Sequence, residues 1–240
     1  MILPAECVVV IPCLNEEPGI AALVASVREL LPRIIIVDDG SGDATSALAA
    51  NAGAEVIRHA YTRGKGAALK TGWQRAVERG FAWALTMDGD GQHSVTDIPA
   101  FLSAAAMGNA DLIVGNRLAN PARMPWLRRF VNQWMSRRLS RAVGVELPDS
   151  QCGFRLMRLG VWQNLSLRAE HFEIESEVLL AFIARGCQVQ FIPVQTIYAG
   201  ERSKINPVVD TWRWFRWWCL VRGQPAPSVT TNPAPFHASP

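Results

Sequence analysis

The first half of the chain alternates short, continuously apolar runs with stretches whose apolar residues recur at helical spacing. Residues 7–12 (CVVVIP) are β-branched and apolar throughout, as a strand buried on both faces requires. Residues 17–31 carry apolar positions at the helical period. Residues 33–37 (RIIIV) form a second predicted strand, closing on Asp38, Asp39 and Gly40. The same reading predicts helices over 43–52, 65–79 and 95–106, and strands over 55–58, 81–87 and 111–114. This βαβα rhythm implies an α/β fold with a parallel sheet and helices on both faces. The second half is less regular: a basic helix over 124–143, a strand over 152–157, a helix over 172–184, a strand over 189–197 and a tryptophan-rich helix over 207–222. From Gly223 onward the chain has five prolines and no charged side chain, which predicts a disordered tail over 223–240. Neither a repeat nor a linker interrupts the first 222 residues, which favours one domain.

Composition narrows the class. Of 240 residues, 49% are hydrophobic and 19% charged, a globular balance. There is no run of 18 apolar residues, so a membrane-spanning helix is not expected, and the N-terminus lacks the basic region of a signal peptide. Five scattered cysteines without a CxxC pair suit a reducing, cytoplasmic setting. The net charge of +3 hides an asymmetry: residues 117–158 hold nine arginines against two acids. Such a stripe suits a phosphate or an anionic surface, or else a solvated helix face.

Three acidic motifs sit where predicted strands end: Pro12 to Glu17 (PCLNEE), Asp38-Asp39-Gly40-Ser41, and Asp88-Gly89-Asp90-Gly91-Gln92-His93. Ligands of open parallel sheets bind at that edge. A lone strand-end carboxylate is usually a helix cap, but three clusters on one sheet repel unless a cation or nucleotide donors relieve them. Asp88 and Asp90, spaced by one residue with glycines that permit a turn, suit a hard cation such as Mg²⁺ or Mn²⁺, with Gln92 as a neutral oxygen ligand. An Asx turn is the plainer reading of the same spacing. Arg63-Gly64-Lys65-Gly66 at a helix start favours an anion but lacks phosphate-loop spacing, and no GxGxxG follows the first strand. The four histidines are too scattered to argue for zinc.

The succession VVIPCLNEE, IIIVDDGSGDAT, RGKGAALKTGW, ALTMDGDGQH, DLIVGNR, DSQCGFRLMR and IYAGERSKI resembles the inverting family two glycosyltransferases, and among them the dolichyl- or polyprenyl-phosphate mannosyl/glucosyltransferase group. The resemblance runs from about residue 7 to 204 in the right order. It implies a glycosyltransferase A-type, mostly parallel twisted sheet in one catalytic domain over 1–204. Pro12, Leu14 and Glu16 match positions that hold the base and ribose of a nucleotide, and Asp38 and Asp39 match an acidic pair. Asp88, with Gly89 beside it, matches the first carboxylate of the metal motif, facing the nucleotide-sugar; Asp90 and Gln92 match the metal ligands. Arg117 matches an arginine near the phosphates, and Lys65 belongs with the anion-binding set. Arg202 and Lys204 resemble a basic cluster on a later loop, although Glu201 precedes them where GxSK is the commoner pattern.

The implied donor is a nucleotide-diphosphate sugar, GDP-mannose or UDP-glucose, and the implied acceptor is a polyprenyl phosphate. A hydroxyl acceptor is the alternative and would need a base, for which Asp149 is the candidate, unless Asp149 is spent on a salt bridge to Arg155. With a lipid phosphate, Arg117, Arg128 and Arg129 would hold the headgroup while Trp126, Phe130 and Trp134 met its chain or packed in the core. Glu173 and Glu177, four apart, read as a solvated face or an ion pair. A nucleic-acid-binding module would leave DGDGQH unexplained, so nucleic acid is not an expected partner. On 207–222, Trp214, Trp217, Trp218 and Val221 form a helical stripe. It either packs on the domain or lies in a bilayer interface; an interfacial helix over 205–222, with 123–141, would hold the protein peripherally on the inner membrane face.

Overall fold

The computed structural model describes residues 4–119, 124–197 and 207–221. Seven strands form one sheet: β1 (Cys7–Cys13), β2 (Ile34–Asp38), β3 (Glu55–Arg58), β4 (Trp83–Thr86), β5 (Leu112–Asn116), β6 (Arg155–Arg158) and β7 (Val189–Pro193), in the order β3-β2-β1-β4-β6-β5-β7. The pairs β1–β2, β1–β4, β2–β3 and β5–β7 are parallel, whereas β6 runs antiparallel to both β4 and β5. The sheet is therefore mixed where the repeating pattern alone predicted parallel strands. Cys7 to Ile11 are no more than 1% exposed, so the helices cover the central strand on both faces.

Those helices are α1 (Ile20–Arg28), α2 (Thr45–Asn51), α3 (Lys65–Glu78), α4 (Ile98–Ala106), α5 (Trp126–Val143), the single turn α6 (Leu159–Trp162), α7 (Ile174–Ala184) and α8 (Pro207–Val221). The predicted 17–31 helix is shorter, because Glu16 to Gly19 turn before α1 begins.

Topology brings the chemistry together. Because β2, β1 and β4 are parallel neighbours, their acidic ends share one edge. Antiparallel β6 begins at that edge, Arg155 pairing with Thr86, so the segment entering it (residues 149–154) lies beside the end of β4.

The tryptophan stripe takes the inward choice. Trp214, Trp217 and Trp218 are 2%, 8% and 7% exposed. The Trp214 ring stacks on Trp218 and lies 5.7 Å from Trp134 of α5, and its Nε1–H donates to Ser176 Oγ of α7 at 2.8 Å. Of the two alternatives for Trp214, Trp217 and Trp218, the structure takes burial on the domain, because α5 and α7 offer an apolar seat and a hydrogen-bond acceptor. The opposite face carries Val209, Trp212, Phe215 and Leu220, all exposed. On α5, Trp126, Leu127 and Phe130 are exposed as well, while Trp134 is half-buried. Among the described residues no helix is long and apolar enough to cross a membrane.

Candidate active site

The two acids ending β2 are spent on local structure. Asp38 is fully buried; its Oδ1 accepts from the Ser41 N–H at 2.8 Å and its Oδ2 from Ser46 Oγ–H, with Arg58 3.6 Å away. Asp39 is 4% exposed and accepts from His59 Nδ1 (2.7 Å), Arg63 N–H (2.9 Å) and Gly64 N–H (2.7 Å). Both carboxylates are thus engaged within the protein. Asp38 shapes the β2–α2 turn, and Asp39 clamps the RGKG segment from which Lys65 projects.

Lys65 stands between two carboxylates. Its Nζ is 2.5 Å from Asp88 Oδ1, beyond the end of β4, and 2.7 Å from Glu175 Oε1 in the first turn of α7. Burial, the largest single influence on Lys65, opposes its charge, but the two carboxylates outweigh it and hold its pKa above the ordinary lysine value. Burial likewise pushes the Asp88 carboxyl up, and Lys65 with His93 (3.2 Å) more than reverses this, leaving it well below the usual carboxylate range. Two glycines allow this crowding. A Cβ on Gly89 would meet Cys13 Sγ at 2.7 Å, and one on Gly153 would meet both Asp88 oxygens at 2.9 and 3.0 Å. Pro12, Leu14 and Glu16 lie at the end of β1, each half-buried, with Pro12 and Glu16 next to Gly89, and the Glu16 N–H is anchored on Thr45 Oγ1 at 2.8 Å.

Asp90 and Gln92 are half-buried on the turn beyond Asp88. The Gln92 N–H donates to Asp90 Oδ1 at 3.1 Å, the Asx-type contact, and Asp90 Oδ2 has no donor among the described residues. Gln92 Oε1 accepts from Arg128 at 3.3 Å. No group of three or more His, Cys, Asp or Glu side chains gathers as a metal cage among the described residues. Asp90 Oδ2 and the Gln92 amide oxygen, both on half-buried side chains, instead fit Mg²⁺ or Mn²⁺ that keeps waters and shares a substrate's phosphates.

Arg117, following β5, is 8% exposed and forms a forked pair with fully buried Asp149: Nε to Oδ2 at 2.9 Å and Nη2 to Oδ1 at 3.0 Å. Burial works against the Arg117 charge, but Asp149 outweighs it and raises its pKa. Asp149, considered as a base, is thus committed to Arg117 through both oxygens and is shielded from solvent. Its partner is also not Arg155, whose guanidinium donates to the carbonyls of Cys152, Glu175 and Ser150 and whose pKa burial lowers. All five cysteines are free, and burial, chiefly, pushes the Cys152 thiol up to about 12, leaving it inert.

Lys65, Asp88, Arg117 and Glu175 form charged walls of a cavity of about 310 Å³ whose apolar walls are Leu127, Val131 and Met135 of α5, Phe172, and Trp214 of α8. A larger cleft of about 460 Å³ on the outer side of α3, lined by Arg63, Lys70, Thr71 and Trp162 among others, contains none of the strand-end acids.

The sequence profile of glycosyl transferase family 2 matches residues 8–165, more than half the chain and all three strand-end motifs. The chain belongs to glycosyl transferase family 2. It is 30% identical over 212 residues to a UDP-N-acetylglucosamine–dolichyl-phosphate N-acetylglucosaminyltransferase of Methanococcus voltae, covering 79% of this chain and 84% of that one. It is also 30% identical over 172 residues to a polyprenol monophosphomannose synthase of Mycolicibacterium smegmatis, covering 67% and 64%. Its fold matches glucosyl-3-phosphoglycerate synthase of Mycobacterium tuberculosis, solved in complex with Mn²⁺, UDP and glucosyl-3-phosphoglycerate, with a TM-score of 0.72 at 18% identity over 90% of this chain and 79% of that one. The enzyme is thus a glycosyltransferase of A-type fold that uses a nucleotide-sugar donor.

In this glycosyltransferase Arg123, Arg202, Lys204 and the tail over 223–240 lie outside the described residues. Glu175 was not among the expected site residues. Its signal is periodic: Glu175, Val178, Leu179 and Phe182 stand at i, i+3, i+4 and i+7, all buried, so a carboxylate occupies an inward position of an apolar stripe. Glu177, expected on a solvated face, accepts from the Arg168 and Ala169 N–H groups and ties the preceding loop to α7.

Proposed function

We propose that this enzyme transfers a hexose, with inversion, from a nucleotide-diphosphate sugar to a polyprenyl phosphate at a membrane surface. The supporting observation is the cavity that sets Asp88, Lys65 and Arg117 against an apolar wall from α5 and α8. A lipid phosphate needs both cations and hydrocarbon contact. It is already ionised and requires no base, in accord with the commitment of Asp149 to Arg117. The relatives named for dolichyl-phosphate and polyprenol transfer favour the same acceptor.

In this reading Pro12, Leu14 and Glu16 cradle the nucleoside. Asp90 and Gln92 would hold Mg²⁺ or Mn²⁺, which would supply positive charge where the diphosphate departs. Lys65 and Asp88 orient the sugar. Arg117, kept rigid by Asp149, faces the acceptor phosphate, with Arg202 and Lys204 as further phosphate-binding cations. GDP-mannose and UDP-glucose are both suitable donors. With radiolabelled donor, Mn²⁺ and a polyprenyl phosphate, label is expected in an organic-extractable product. Label confined to water-soluble product overturns the lipid acceptor.

The catalytic domain and α8 then act as one body on the membrane, which is met by exposed Trp126, Leu127, Phe130, Trp212 and Phe215 flanked by exposed Arg129, Arg213 and Arg216. Trp126→Asp combined with Trp212→Asp is expected to weaken sedimentation with phosphatidylglycerol vesicles by about tenfold or more, since each exposed aromatic contributes roughly 1.5–3 kcal/mol when buried. Its melting temperature stays near wild type, because both side chains face outward. Undiminished vesicle binding would show that this face is not the membrane contact.

A further inference from the structure

Glu175 presents an unresolved polar group. It is 5% exposed, and while Oε1 pairs with Lys65, Oε2 is buried with no hydrogen-bond partner among the described residues. Its place in the first turn of α7 favours a negative charge but supplies no donor to that oxygen. Native structures leave few such atoms, because a buried unpaired carboxylate oxygen forfeits its hydration. The residue is also held firmly: Arg155 Nη1 donates to its carbonyl oxygen at 2.5 Å, and the neighbouring Ser176 is bonded to Gln151 and Trp214.

Beside it, Lys65 has three N–H groups and two carboxylates at ion-pair distance, which leaves an N–H for a further acceptor. Lys65 Nζ also lies 5.5 Å from the ring centre of Phe172, which lines the same cavity. A rigid acceptor, an adjacent donor and an aromatic wall together match a sugar hydroxyl, which donates one hydrogen bond, accepts others and sits on a ring with apolar faces.

We propose that Lys65 and Glu175 together read one hydroxyl of the transferred hexose, Glu175 accepting and Lys65 donating, and that this pair governs which sugar is accepted. The inference rests on the donor reading above and adds a specificity-determining residue to it. A site that hydrogen-bonds a hydroxyl discriminates strongly against an analogue lacking it, because its own polar groups are then left unpaired.

The test is Glu175→Gln, assayed with UDP-glucose and GDP-mannose, alongside calorimetric binding of UDP and GDP with Mn²⁺. The expected result is a loss of about 30-fold in kcat/KM for the preferred nucleotide-sugar, the scale of a hydrogen bond to a charged group, with Kd for the nucleoside diphosphate unchanged within about twofold. One deoxy-hexose donor should be used equally by wild type and variant. Equal losses for sugar and nucleoside diphosphate, or no loss for any donor, overturn the proposal. Should Glu175→Gln fail to fold, Glu175→Asp keeps the charge opposite Lys65 and is expected to blur discrimination between the two donors; unchanged discrimination in that folded variant also overturns it. If wild type binds neither UDP nor GDP, the donor reading itself fails, and the inference falls with it.

Discussion

Asp90→Ala is expected to reduce transfer by about a thousandfold while leaving the protein folded, the scale at which loss of charge stabilisation at a leaving group acts. Asp90 is half-buried, and among the described residues its one hydrogen bond is from the Gln92 N–H within its own turn. Removing it costs a turn contact and no core packing, so the melting temperature should stay within a few degrees of wild type. Binding of a nucleoside diphosphate should also lose its dependence on Mn²⁺, because Gln92 alone is a poor ligand for a hard cation. Transfer within tenfold of wild type at ordinary Mn²⁺ would remove Asp90 from the metal site. The measurement is initial rate against Mn²⁺ concentration, with circular dichroism as the control for folding.

Asp149→Asn is expected to destabilise the domain by about 3–5 kcal/mol, because it leaves Arg117 charged, buried and without its counter-ion. Arg117 donates three hydrogen bonds to that carboxylate, one from its own backbone N–H, and is 8% exposed. An asparagine keeps the shape but accepts through one oxygen only. In a domain of this size the loss corresponds to a melting shift of roughly 10 °C. Urea unfolding checks it, and a companion variant explains it. Replacing both partners, Arg117→Leu with Asp149→Leu, should recover much of the stability and still abolish transfer, since the acceptor phosphate loses its cation. A stability change below about 1 kcal/mol in Asp149→Asn would show that Arg117 reaches solvent and does not depend on the pair.

Periodicity and strand-end chemistry read from the chain alone located every strand to within a few residues, because continuous β-branched runs such as residues 7–11 have no other stable environment than a sheet covered on both sides. The order of motifs likewise identified the family, and Asp88, Asp90 and Gln92 could be singled out as candidates because they are local in sequence and share one strand-end segment. Partnership over long range was not legible. Asp149 joins Arg117 across 32 residues, and Lys65 reaches Glu175 across α3 and α7, so nothing in local spacing distinguishes a free carboxylate from one already paired. Asp38 and Asp39 looked like ligands for the same reason, although their donors come from loops that the sheet folds back onto them. The tryptophan helix divides the two kinds of knowledge. The chain determined that its apolar positions would form a stripe; only the tertiary structure decided that Trp214, Trp217 and Trp218 turn inward onto α5 and α7 while Trp212 and Phe215 face out. A helix apolar around much of its circumference carries no internal instruction for which side is buried, and the choice falls to the surface it docks on.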